Sequence, residues 1–114
     1  MNPRTIRPLL MAPVFSALGD PMRLAIVADL CKNGPTTTVR LTTAASVSRQ
    51  AVTKQLQTLQ VAGIVSSCRK GRDRQWQIEK LKLKEACAFL DQISIKWDAT
   101  LDRLRRFVEE GPQE

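Results

Sequence analysis

Apolar residues recur along this chain with two periods, and the periods lay out its elements. Pro13-Val-Phe-Ser-Ala-Leu-Gly19 predicts a short helix closed by glycine, the usual residue just past a helix end. Asp20-Pro21 restarts a helix, with Asp20 as N-cap and Pro21 at the first helical position, where no intrahelical N–H bond is needed. Leu24, Ile26, Val27 and Leu30 give it an apolar stripe, and Asn33-Gly34-Pro35 ends it. Thr36 to Thr38 is a polar lead-in to a third helix, about Val39 to Ala45, whose small Ala44 and Ala45 let another helix cross closely. Ser46-Val47-Ser48 is a turn, and Ser48 caps a fourth helix, Arg49 to Val61, stopped by Ala62-Gly63. In that helix Val52, Leu56 and Leu59 share one face at helical spacing, while Arg49, Gln50, Thr53, Lys54 and Gln57 share the other.

The period then changes. Ile64 to Arg69 and Arg74 to Ile78 read as two strands around a Lys70-Gly71-Arg72-Asp73 turn, with Trp76 and Ile78 on one face and Trp76 packing beneath the hairpin. From about residue 81 or 83 a long helix runs to about Glu110, before Gly111-Pro112. Leu83, Ala86, Leu90, Ile93, Trp97, Thr100, Leu104 and Phe107 form its stripe, widened by Cys87, Leu101 and Val108. At 1.5 Å per residue such a helix is ~42 Å long, more than a small domain needs, so part of it is expected to pack outside the monomer.

With 114 residues the chain has room for one domain. Apolar residues make up 43% and charged residues 25%, which fits a globular protein rather than a disordered one. No apolar stretch is long enough for a transmembrane helix, so no membrane partner is expected. Arg4 and Arg7 precede apolar residues as in a leader, but Pro8 and Pro13 break the run. There is no His, and the three Cys are unpaired in spacing; disulfides, His-based metal sites and His-based catalysis are not expected, and the reducing cytoplasm is the expected location. No cofactor, metal site or enzymatic activity is expected, since no acid–base pair or phosphate-cradling glycine loop stands out.

Charge sharpens the picture. Eighteen Lys and Arg against eleven Asp and Glu leave +7, and residues 36–84 alone carry ten basic side chains against only Asp73 and Glu79. The positive field thus belongs to the middle of the chain and predicts a polyanionic partner.

Helix, turn, helix and basic hairpin, in that order, make a winged helix-turn-helix. The expected fold is mainly α with a small β-hairpin: one domain over residues 1–114, about five helices and a two-stranded wing, with the helix-turn-helix at about 36–62, the wing at about 64–79 and the last helix at about 81–110. A helix fits the ~12 Å major groove of B-DNA, where base edges carry a distinguishing pattern. A basic hairpin beside it can ride on phosphates or enter the minor groove. The candidate contacts to double-stranded DNA are Thr38, Ser48, Arg49, Gln50, Thr53, Lys54 and Gln57, with Arg69, Lys70, Arg72 and Arg74 on the wing. By donor geometry Gln50 suits adenine and Arg49 suits guanine or phosphate, whereas Ser48 is an N-cap that can also serve a phosphate.

Phe15-Ser-Ala-Leu-Gly-Asp-Pro-Met-Arg-Leu24, Ser48-Arg-Gln-Ala-Val-Thr-Lys-Gln-Leu-Gln-Thr-Leu59, Ala62-Gly-Ile-Val65 and Arg69-Lys-Gly-Arg-Asp-Arg74 resemble the arsenic-repressor-like family of bacterial winged-helix repressors, over about residues 13–110. The resemblance implies a homodimer joined through the first and last helices, a recognition helix starting near Ser48, a wing around Lys70–Arg72 and a palindromic operator. Phe15, Leu90, Ile93, Trp97, Leu101, Leu104 and Phe107 are the candidate dimer residues. Metal-sensing members carry paired Cys on the third helix, or carboxylate and His ligands on the last; here Val39 to Ser46 has no Cys and the chain has no His. Leu83-Lys-Glu-Ala, Phe89-Leu-Asp and Trp97-Asp-Ala-Thr-Leu-Asp-Arg-Leu instead resemble a metal-free branch, whose members tend to regulate their own operon and whose inducers are usually unidentified.

Alternatives stay open. Cys31 and Cys87 read as small core or interface hydrophobes or as members of a thiol switch, and Cys68 lies on the hairpin. Trp97 reads as dimer core or as a ligand lid. A thiol- or small-molecule-responsive regulator with an unknown inducer shares the same fold, as does a winged-helix module for protein or RNA contact. The basic fourth helix argues against pure protein contact, and its lack of aromatics argues against base-stacking on RNA.

Overall fold

A computed structural model of the chain describes residues 8–110. The elements are α1 (Pro8–Leu18), α2 (Pro21–Asn33), β1 (Thr36–Thr37), α3 (Thr38–Ala45), α4 (Arg49–Val61), β2 (Val65–Lys70), β3 (Asp73–Ile78) and α5 (Lys80–Glu110). Arg4 and Arg7, and the helix stop expected at Gly111-Pro112, lie outside the described residues.

Helix ends sit where side-chain chemistry satisfies orphan backbone groups. An Asp20 carboxylate oxygen accepts from the N–H groups of Met22 at 3.0 Å and Arg23 at 3.1 Å, with Pro21 opening α2. Ser48 Oγ accepts from Ala51 N–H at 3.1 Å and starts α4. Gly34 takes φ 82° and returns its N–H to the Leu30 carbonyl at 3.0 Å, a conformation that disfavours any side chain. Between α3 and α4, Ser46 adopts φ 56° without being glycine, which places the turn at a cost of about 1–2 kcal/mol.

Three expectations need correction. The first helix begins at Pro8 rather than Pro13, because Met11 buries alongside Val14 and Ala17 and that stripe carries the helix through Pro13. Leu24 is 53% exposed; α2 turns Ile26, Val27 and Leu30 inward instead. Thr36 and Thr37 are not merely a lead-in but a third strand, antiparallel to β3, with Thr36 opposite Trp76 and Thr37 opposite Gln75. The sheet therefore has three strands, ordered β1-β3-β2: β1 joins the expected two-stranded wing, β2 and β3, at its base. In α5, Leu83 and Ala86 of the expected stripe face the core together with Phe89, while the stripe's residues from Leu90 onward are exposed.

The core lies where α1, α2, α3, α4 and the base of the sheet meet. Val52, Leu56 and Leu59 of α4 are wholly buried, together with Ile64 just beyond the helix. At roughly 1.5–3 kcal/mol for each fully buried aliphatic side chain, these three residues anchor a helix whose other face is polar. Arg23 locks the other side of α4: its Nε donates to the Ala17 carbonyl at 2.7 Å, one Nη to Ser16 at 3.4 Å and the other to Gln55 Oε1 at 2.8 Å. One guanidinium thus caps α1 and ties it to α4. From Ile93 to Glu110 every residue of α5 is exposed, and the molecule extends to 74 × 34 × 21 Å. No single described helix is long and apolar enough to cross a membrane.

Trp76, buried in the middle strand, donates its Nε1–H to Thr38 Oγ1 at 2.9 Å. Thr38 is 4% exposed, which makes it a structural acceptor and removes it from the surface. Its assignment as a DNA contact is corrected for that reason. Thr38→Val should leave the indole N–H buried and unpaired and cost about 1–3 kcal/mol in chemical denaturation, while Thr38→Ser should retain most of the stability. Equal stability of Thr38→Val and the native chain would contradict this role.

Candidate nucleic-acid interface

The sequence of α4 puts two incompatible faces on one helix, and burial of one presents the other. Arg49, Gln50, Thr53, Lys54 and Gln57 come together to line a single shallow depression of about 330 Å³ on its outer side. The side chains of Gln50, Lys54 and Gln57 are exposed and make no hydrogen bond or ion pair with any other described residue, so their polar groups are available. No acid shares the depression. Ser48, also exposed, is committed as the N-cap through one lone pair and keeps its hydroxyl proton.

The wing rises from the same end of the molecule. Gly71 takes φ 63° at the first central position of a two-residue turn closed by Lys70 opposite Asp73, the arrangement of a type II′ hairpin. Arg69 and Arg74 face each other across the strands, and their guanidinium groups find only neutral partners: Arg69 Nε reaches the Gly71 carbonyl at 3.3 Å and Arg74 Nε reaches Ser67 Oγ at 3.0 Å. The side chains of Lys70 and Arg72 are exposed and without a partner among the described residues. All four basic wing residues therefore cluster at one tip with unneutralised charge.

Asp73 joins the two parts, and the sequence reading passed over it as a turn residue. One carboxylate oxygen accepts from Arg74 N–H at 2.7 Å and meets an Arg49 Nη at 3.4 Å; the other accepts from Val39 N–H at 3.1 Å. Asp73 thereby ties the wing to the N-terminal ends of both α3 and α4. Partial burial pushes its pKa up, but the hydrogen bonds from Arg74, Val39 and the Thr38 hydroxyl, with Arg49 alongside, outweigh that and hold it below the ordinary carboxylate value. A signal was present: Asp73 is the single acid in the otherwise basic run Arg69 to Arg74.

The candidate dimer residues fall outside this region. Leu90, Ile93, Trp97, Leu101, Leu104 and Phe107 lie exposed along the outer part of α5, with Trp97 at 60% and Phe107 at 68%. Phe15 is half-buried, its ring 5.8 Å from that of Phe89 in the same chain. Cys31, Cys68 and Cys87 are all free and exposed.

No protein-family model matches the chain. An ArsR-like transcriptional regulator from Rhodococcus sp. RHA1 superposes with a TM-score of 0.74 at 31% identity, over 87% of this chain and 92% of that one. The chain belongs to the ArsR-like family of transcriptional regulators. A second solved ArsR family regulator, 26% identical, matches with a TM-score of 0.74 over 82% of this chain and 96% of that one. In sequence, the uncharacterized HTH-type transcriptional regulator YuzN of Bacillus subtilis is 42% identical over 67 residues, which cover 54% of this chain and 73% of YuzN. As an ArsR-like regulator the chain is a DNA-binding protein of helix-turn-helix type, mainly helical, with its sheet as the wing.

Because the folded-state pKa of Asp73 is depressed, its carboxylate stabilises this ArsR-like fold above the ordinary carboxylate value, and that contribution is lost as pH falls through the lower folded value. Asp73→Asn should therefore lower Tm at neutral pH, with the gap from the native chain closing as the solution is acidified through that window. A gap that stays constant throughout the range in which both chains fold would show that the carboxylate charge is not what holds the joint.

Proposed function

We propose that the chain is a cytoplasmic repressor that binds a palindromic operator as a homodimer and reads its sequence through α4. The observation that carries this reading is the acid-free outer face of α4, where the Gln50, Lys54 and Gln57 side chains have no partner among the described residues while Val52, Leu56 and Leu59 on the opposite face are wholly buried. A 13-residue helix is about 20 Å long, enough to lie across a major groove. Gln50 stands near its N-terminal end and can pair with adenine in bidentate fashion. Arg49, held by Asp73, approaches a guanine or a phosphate from a fixed position. The wing arginines and Lys70 supply phosphate or minor-groove contacts that position the protein without reading bases.

The outer stripe of α5 supports the two-fold assembly. Monomers rarely leave so many large apolar side chains in one row, and a second copy of the same helix covers them with a self-complementary surface. Two copies then present two α4 helices to half-sites about one turn of DNA apart, ~34 Å. Repression follows by occupancy where such an operator overlaps a promoter.

Gln50→Ala should weaken operator binding selectively, by ~1–3 kcal/mol, whereas Arg72→Ala should weaken operator and scrambled duplex alike and lower the salt slope by about 1. Isotherms on both duplexes at several salt concentrations test the assignment; equal losses on both duplexes for Gln50→Ala would remove α4 as the reader at that position. Trp97→Glu or Leu104→Glu should convert a dimer into a monomer in sedimentation at micromolar concentration. A native chain that is already monomeric there would overturn the two-fold arrangement.

A further inference from the structure

A cavity of about 790 Å³ lies away from the α4 face and the wing tip. It is bounded by the end of α2, the Gly34-Pro35 corner, the end of β3 and the first three turns of α5. That volume falls within the range of small-molecule sites, roughly 300–1,000 Å³. Leu30, Ile78 and Leu83 give it an apolar floor. Lys80 and Lys84, one helical turn apart, line one part of the wall, and neither makes an ion pair with a described residue. Asp91, about two turns further along α5, is the single acid on the walls, so the cavity is positive at one end and acidic at the other.

The start of α5 is electrostatically unusual. The N-terminal end of a helix carries partial positive charge and favours acids, at roughly 0.3–1 kcal/mol each. Here Glu79 precedes the helix but its first turn holds no acid, and Lys80, Lys82 and Lys84 crowd the opening. Lys82 is relieved by Glu85 at 3.5 Å; Lys80 and Lys84, the two that line the cavity, have no such neighbour. Two cations without an ion-pair partner beside an apolar chamber match one ligand chemistry, a hydrocarbon carrying a negative headgroup.

We propose that this cavity binds an amphipathic organic carboxylate, its headgroup between Lys80 and Lys84 and its hydrocarbon part on Leu30, Ile78 and Leu83. The bound molecule would lie against the frame that holds the helix-turn-helix. Pro35 leads directly into β1, and Ile78 is two residues from Trp76, whose indole grips Thr38.

The test uses the full chain without DNA, so its result is independent of the operator reading. Titration calorimetry with decanoate, kept below micelle formation, should give saturable binding at one site per chain. Decanol and decyltrimethylammonium should bind at least about tenfold more weakly, as should decanoate to the Lys80→Glu, Lys84→Glu double variant, with the corresponding double arginine variant retaining affinity. Cys31 and Cys87 line the same cavity and Cys68 lies on the wing, so alkylation locates the ligand. Bound decanoate should slow modification of Cys31 and Cys87 and leave Cys68 unchanged. Equal affinity for decanol and decanoate, no saturable binding, or equal protection of all three thiols would each overturn the proposal.

Discussion

The buried hydrogen bond from Trp76 to Thr38 is the constraint on which the polar half of this molecule depends. It spans 2.9 Å between the middle strand of the sheet and the first residue of α3. Trp76 brings a large apolar surface into the core but must satisfy one N–H there, and an unpaired N–H would cost the desolvation of that group. Three residues earlier on the same strand, Asp73 takes hold of Val39 and Arg49. A single short strand thereby fixes the wing, α3 and the start of α4 as one body. The helix that faces outward is thus positioned from two sides, by its own buried Val52, Leu56 and Leu59 and by the strand.

This arrangement explains what the sequence disclosed and what it concealed. The bounds of α4 could be read directly, because Ser48, Gly63 and the aliphatic triplet between them are local signals that tertiary packing does not override. The polar face of α4 followed by subtraction. The β1 strand could not be read, since two residues carry no alternation and their partners Trp76 and Gln75 lie some forty positions away. Thr38 was misplaced for the same reason: a threonine before a helix looks like a surface cap until the indole that needs it is located. Leu24 shows the limit of counting apolar residues, since Ile26, Val27 and Leu30 already fill the inward arc of α2. Asp73 was legible in principle as the lone acid of the basic hairpin, but a carboxylate among arginines reads equally as a surface neutraliser until its backbone donors are seen.

The long helix divides its labour along its length. Leu83, Ala86 and Phe89 close the core from below, and within one further turn the helix has left the domain behind. Its apolar period persists beyond the last residue it can bury within the chain. Past the edge of the folded body that pattern leaves an apolar face which no described residue covers.

The cross-strand pair Arg69 and Arg74 has a mechanical meaning. Like charges set directly opposite on a hairpin work against its closure, by a few tenths of a kcal/mol up to ~1 kcal/mol. The tip is therefore held shut by the Gly71 turn and by the ladder rooted at Trp76, against an outward electrostatic pressure of its own making. Small ions in solution screen that pressure in part. The repulsion between the two arms of the wing is therefore set by the ions around it as well as by the chain, and falls as negative charge gathers at the tip.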